Sequence, residues 1–119
     1  ANADHLRLAR ELRDRAKILV SFGDCAVTGN VTSLRNALAV DDLLDRVYHE
    51  GPGASPLQDT SPGAVLPALL STVVPLHAVV AVDAFIPGCP PDPERIWNAL
   101  RRFVFDEYVA TTAAERTFG

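Results

Sequence analysis

A helical pattern that runs directly into a short apolar run closed by glycine restricts the folds open to this chain. Over residues 4–16, Leu8, Ala9, Leu12 and Ala16 recur at spacings of one, three and four, with His5 at the edge of that face. Arg7, Arg10, Glu11 and Asp14 cover most of the remainder as a solvated charged face. Ile18-Leu19-Val20-Ser21-Phe22 follows at once and stops at Gly23, the pattern of a strand buried on both faces. Helix followed directly by buried strand is the order found in α/β proteins with a parallel sheet. The stretch from Gly23 to Asn30 then lies at the carboxyl edge, where open α/β sheets bind ligands and cofactors.

The rest of the chain continues this order. Val79–Phe85 is predicted as a second strand, running into Ile86-Pro87-Gly88-Cys89-Pro90-Pro91. Asp92 is suited to cap a closing helix with Pro93 at its first position. That helix would turn Ile96, Leu100, Phe103 and Val104 to the core, with Trp97 and Ala99 flanking them. Another helix is expected from Asp41 to Glu50, with Val40, Leu43, Leu44, Val47 and Tyr48 on its apolar face. All nine prolines fall between Pro52 and Pro93, so 51–63 reads as an exposed loop. Pro67 and Pro75 leave room for only a short helix between them. The domain is expected to span 1–109, with 110–119 as a weakly anchored tail.

Composition excludes several functions. A chain of 119 residues that is 48% hydrophobic and 22% charged suits one small packed domain rather than a disordered segment. Its net charge of −4, with no cluster of Lys or Arg, argues against nucleic acid or an anionic membrane surface as partner. No apolar stretch approaches the ~18 residues of a membrane-inserting helix. Charges at Asp4, Arg7, Arg10 and Glu11 are unlike a signal peptide, and a cytoplasmic location is expected. Two evident strands make a poor sheet, and Met is absent altogether. Either further strands lie unrecognised in this chain, or part of the domain lies outside these 119 residues.

Chemistry concentrates at Cys25 and Cys89. Each follows a predicted strand by a few residues, in a turn punctuated by Gly or Pro, and both turns would open on the same sheet edge. Gly23 and Gly88 let the backbone approach a bulky group and free nearby N–H groups to face it. Pro87, Pro90 and Pro91 stiffen the second turn. A rigid pair of soft ligands is what an iron–sulfur site requires. Other readings stay open at this point. Each cysteine can be a small buried hydrophobe. A disulfide suits an acidic, signal-free chain poorly, and the CxxC of a redox pair is absent. Thiol catalysis would need His5, His49 or His77 as base. Asp24, Thr28 and Asn30 can hydrogen-bond around a ligand or serve ordinary turn chemistry. Asp83 interrupts an apolar run and would need a partner if buried. Arg35 can face an acidic partner, and His77 reads as structural.

Two stretches carry a family resemblance. Val82-Asp83-Ala84-Phe85-Ile86-Pro87-Gly88-Cys89-Pro90-Pro91 resembles the VDxxxPGCPP signature of iron–sulfur subunits shared by nickel–iron hydrogenases and respiratory NADH:quinone oxidoreductase. Gly23-Asp24-Cys25-Ala26-Val27-Thr28-Gly29-Asn30-Val31, continuing through Ser33-Leu34-Arg35-Asn36, is similar to the matching earlier motif. Its form resembles the small subunit of bidirectional NAD(P)-linked hydrogenases, and the likeness runs from about residue 5 to 105.

The resemblance implies an α/β, flavodoxin-like parallel sheet with flanking helices, incomplete in this chain. It also implies one 4Fe-4S cluster proximal to the nickel–iron centre of the large subunit. Cys25 and Cys89 would be its third and fourth ligands, surrounded by Gly23, Asp24, Thr28 and Gly88. The first two would come from an upstream CxxC-type pair that this sequence lacks. The implied partners are the nickel–iron large subunit and the flavin and iron–sulfur diaphorase subunits serving NAD(P). Hydrogen chemistry would lie on the large subunit, with no catalytic residue here. FMN at the switch point of the sheet is a further implied cofactor, although no GxGxxG loop is present. The alternative is the cluster-bearing subunit of NADH:quinone oxidoreductase.

Overall fold

Residues 1–50 and 67–105 are described by a computed structural model, and no helix among them is long and apolar enough to cross a membrane. The loop expected at 51–63 and the tail at 110–119 lie outside the described residues. Helix α1, Ala3–Arg15, starts where the Asn2 side chain accepts the His5 N–H at 2.9 Å. It ends as Ala16 turns extended and donates its N–H to the Leu12 carbonyl. Strand β1, Val20–Phe22, runs parallel to β2, Ala84–Ile86, in the register Val20↔Ala84, Ser21↔Phe85, Phe22↔Ile86. Between them lie α2 (Asp24–Val27), α3 (Asn30–Ser33), a 3-10 turn (Leu34–Ala37), α4 (Val40–Tyr48) and a second 3-10 turn (Leu76–Ala78). Helix α5, Pro93–Val104, closes the described chain. Its Asp92 cap accepts from the Glu94 and Arg95 N–H groups, with Pro93 at the first position as the sequence predicts.

The parallel α/β order is therefore present, with strands shorter than their apolar runs. Val79–Asp83 stays out of the sheet because Pro75 opens a 3-10 turn, and the Val79 and Val80 N–H groups both return to the Leu76 carbonyl. Donors held by that turn are lost to a strand ladder. The expected two-sided burial of the first strand also fails. Ser21 is fully buried, but Phe22 is 51% exposed. Val27, Val73 and Ile86 are, with Pro87 and Pro91, the buried apolar side chains among the described residues. The predicted core faces of α1 and α5 stay largely open, with Leu8, Leu12, Leu100 and Val104 all exposed, because none of the described elements covers them.

The amino edge of the sheet is held by an ion pair that crosses the chain. Arg13, on the last turn of α1, meets Asp83 Oδ2 at 2.5 Å and also donates to the carbonyls of Ala81 and Ala16. The same Asp83 oxygen accepts the Leu19 N–H at 2.7 Å, while the Asp83 N–H donates to the Leu19 carbonyl at 2.9 Å. Asp83 is half-exposed rather than buried, and its required partner is a residue 70 positions away. The Arg13 guanidinium, aided by the Leu19 N–H, holds its carboxyl below the usual carboxylate range against the opposing effect of desolvation. A depressed native pKa contributes stability that is fully present above the unfolded value of about 4 and is lost as pH falls through the folded value. Asp83→Asn is expected to lower Tm at neutral pH. The gap to the native protein should narrow in acid below about pH 4 in thermal melts, and a gap independent of pH would contradict this assignment.

Candidate metal centre

Parallel pairing sets the carboxyl ends of β1 and β2 side by side, so the turns that leave them meet. The Gly23 N–H donates to the Ile86 carbonyl at 2.8 Å, and the Asp24 N–H to the Gly88 carbonyl at 3.0 Å. The Gly88 N–H returns to Asp24 Oδ1 at 2.6 Å. One residue of the first turn thus satisfies both backbone groups of one residue of the second. Asp24 is only 8% exposed, so this pairing is shielded from competing water. Cys25 follows Asp24 directly and Cys89 follows Gly88, and both thiols are free and exposed. Exposure removes the buried-hydrophobe reading, and no disulfide joins them. Cys25 stands in α2 rather than in an open loop.

Glycine is required on both sides of the contact. Gly23 has φ +81° and Gly88 has φ +133°, a region that L side chains rarely adopt. A Cβ on Gly88 would also run into Pro91 Cα and stand 2.9 Å from the Pro90 carbonyl oxygen. The second turn is anchored from α5, whose Arg95 Nη1 donates to the Pro87 carbonyl at 3.2 Å. Thr28 acts indirectly: its hydroxyl donates to the Asp24 carbonyl at 3.0 Å and accepts the Asn30 N–H at 3.3 Å, holding the corner between α2 and α3.

Downstream of that corner, the Asn36 amide pairs with Val73 in both directions, at 2.8 and 2.7 Å. Arg35 Nη2 donates to the Leu70 carbonyl at 2.7 Å. Arg35 is therefore half-buried structural glue, not a side chain facing an acidic partner. His77 lies edge-on to Phe85 with ring centroids 5.6 Å apart, as a structural role predicts. His5 stands in α1, and His49 ends α4 beside Asp45. Sequence reasoning missed the roles of Arg13, Asn36 and Arg95. The uncompensated Asp83 was the one visible signal, and it pointed to the need for a partner without naming it.

Among the described residues no group of three or more His, Cys, Asp or Glu could hold a metal ion by itself. The donor chemistry nonetheless suits iron–sulfur: two accessible thiols, soft ligands, on turns held together at one sheet edge. The residues present fit as half of a four-thiolate set.

Comparison with known proteins bears on what occupies such an edge. The family model described as NADH ubiquinone oxidoreductase, 20 Kd subunit, matches residues 1–103. The chain is 35% identical over 104 residues to the delta subunit of the NAD-reducing hydrogenase HoxS of Cupriavidus necator, covering 84% of this chain and 49% of that protein. It is 36% identical over 108 residues to a subunit of the F420-non-reducing hydrogenase of Methanothermobacter thermautotrophicus, covering 91% of this chain and 35% of that protein. A chain in the crystal structure of an NAD+-reducing nickel–iron hydrogenase in the H2-reduced state matches with a TM-score of 0.85 at 32% identity, covering 99% of this chain and 66% of that one. The chain spans about half the length, or less, of these curated relatives.

Two substitutions test the geometry of the edge. Asp24→Ala leaves the Gly88 N–H without its acceptor and should cost about 1–3 kcal/mol in denaturant unfolding. Gly88→Ala combines an unfavourable φ with a collision at Pro91 and should cost about 1–3 kcal/mol or more. A Gly88→Ala protein as stable as the native one would contradict the positive-φ turn.

Proposed function

Because the chain belongs to the family of the NADH ubiquinone oxidoreductase 20 Kd subunit, we propose that it is the electron-transfer small subunit of an NAD(P)-linked nickel–iron hydrogenase. The observation that carries this reading is the pair of free, exposed thiols on two turns that Asp24 and Gly88 tie together. Support for the hydrogenase branch comes from relatives that are hydrogenase subunits, one of them NAD-reducing. Cys25 and Cys89 would hold a 4Fe-4S cluster together with two thiolates from outside these 119 residues. When bound, such a cluster stores and releases single electrons.

The chain's own residues hold and shape that site. Gly23 and Gly88 keep side chains away from it, Asp24 sets the spacing of the two turns, and Thr28 holds the corner between α2 and α3 that follows Cys25. No acid or base of this chain is assigned to hydrogen chemistry, which belongs in this reading to a nickel–iron large subunit docked against the carboxyl edge. Flavin and iron–sulfur subunits would carry electrons onward to NAD(P), with the complex in the cytoplasm and the cluster-bearing unit taken to span 1–109. The description of the family model favours a second reading, the cluster-bearing subunit of an NADH:quinone oxidoreductase.

In the intact complex, Cys25→Ser and Cys89→Ser should each remove one cluster, about four irons, and the broad absorbance at the blue end of the visible range. Hydrogen-dependent reduction of NAD(P) should fall with it. Unchanged iron content in both variants would overturn the ligand assignment.

A further inference from the structure

We propose that Asp24 lowers the reduction potential of the cluster held by Cys25 and Cys89, acting as a carboxylate fixed between the two thiol-bearing turns. This rests on the two-thiolate reading above. Asp24 stands one residue before Cys25, and its Oδ1 is 2.6 Å from the N–H of Gly88, one residue before Cys89. No other carboxylate bridges the two turns among the described residues. At 8% exposure its charge is weakly screened by solvent. Net charge and hydrogen bonds to sulfur are main determinants of iron–sulfur potentials, and a nearby anion opposes the arrival of an electron. The same contact also withholds a donor. The Gly88 N–H is taken by Oδ1 and so is not free to turn toward a cluster sulfur, where it would favour the reduced state. Both effects lower the potential.

Scaffolding and tuning can be told apart. An asparagine offers the same Oδ1 acceptor to Gly88 without the charge, so Asp24→Asn keeps the bridge and removes the anion. Asp83 supplies the comparison: it is also a carboxylate bonded to the sheet, but it lies at the amino edge, 45% exposed and paired with Arg13. The experiment is an EPR-monitored redox titration of the intact complex, with iron analysis, following the signal that Cys89→Ser removes. Asp24→Asn should retain its iron and titrate at a higher midpoint potential, while Asp83→Asn should titrate with the native protein. A native midpoint in Asp24→Asn, an equal shift in Asp83→Asn, or loss of iron in Asp24→Asn would each overturn the proposal, the last by assigning the carboxylate to retention. Full iron content in Cys89→Ser would instead overturn the cluster reading beneath it.

Discussion

The reciprocal bonding of Asp24 and Gly88 is the constraint on which the carboxyl edge depends. Strand pairing brings the two turns near each other, but β1 and β2 share only three register pairs, which end before the turns begin. Asp24 extends the pairing past the last sheet position by using its backbone and its side chain on one partner residue. A glycine is the only residue whose backbone can be presented at φ +133° against Pro90 and Pro91 without collision. The clamp and the glycine are thus one device, and the cysteines are placed by being next in line on each side.

The two ends of the sheet are held by different chemistry. At the amino edge, Arg13, Asp83 and Leu19 form a half-exposed cluster in which the charge pair and one backbone N–H share a single carboxylate oxygen. At the carboxyl edge, the bonds are shielded, and the Asp24 carboxylate is turned onto a backbone N–H. Side-chain amides and guanidinium groups then fasten the segments that the short strands cannot reach: Asn36 on Val73, Arg35 on Leu70 and Arg95 on Pro87. Polar side chains bonded to backbone thus hold segments together where few apolar side chains are buried among the described residues.

Much of this was legible in the sequence. The α1–β1 order, the common edge of Gly23–Cys25 and Gly88–Cys89, and the Asp92–Pro93 helix start follow from periodicity and capping rules that act over a few residues. Burial was not legible. The apolar runs at Ile18–Phe22 and Val79–Phe85 predicted longer and more buried strands, because hydrophobicity reports a need for cover without saying whether cover arrives. Long-range polar contacts were equally hidden, since Arg13 and Asp83 are linked across 70 positions by nothing that local pattern encodes.

The 64 positions separating Asp24 from Gly88 have a kinetic consequence. Closing a loop of that length costs roughly 4 kcal/mol in chain entropy before its contacts repay anything. The two thiols share one edge only once that loop has closed and the parallel strands have met. Until then each cysteine is a lone thiol on an unpaired turn. A group that needs both thiols therefore either meets a closed sheet or repays that closure with its own ligation energy, so loading and folding are thermodynamically linked through the topology.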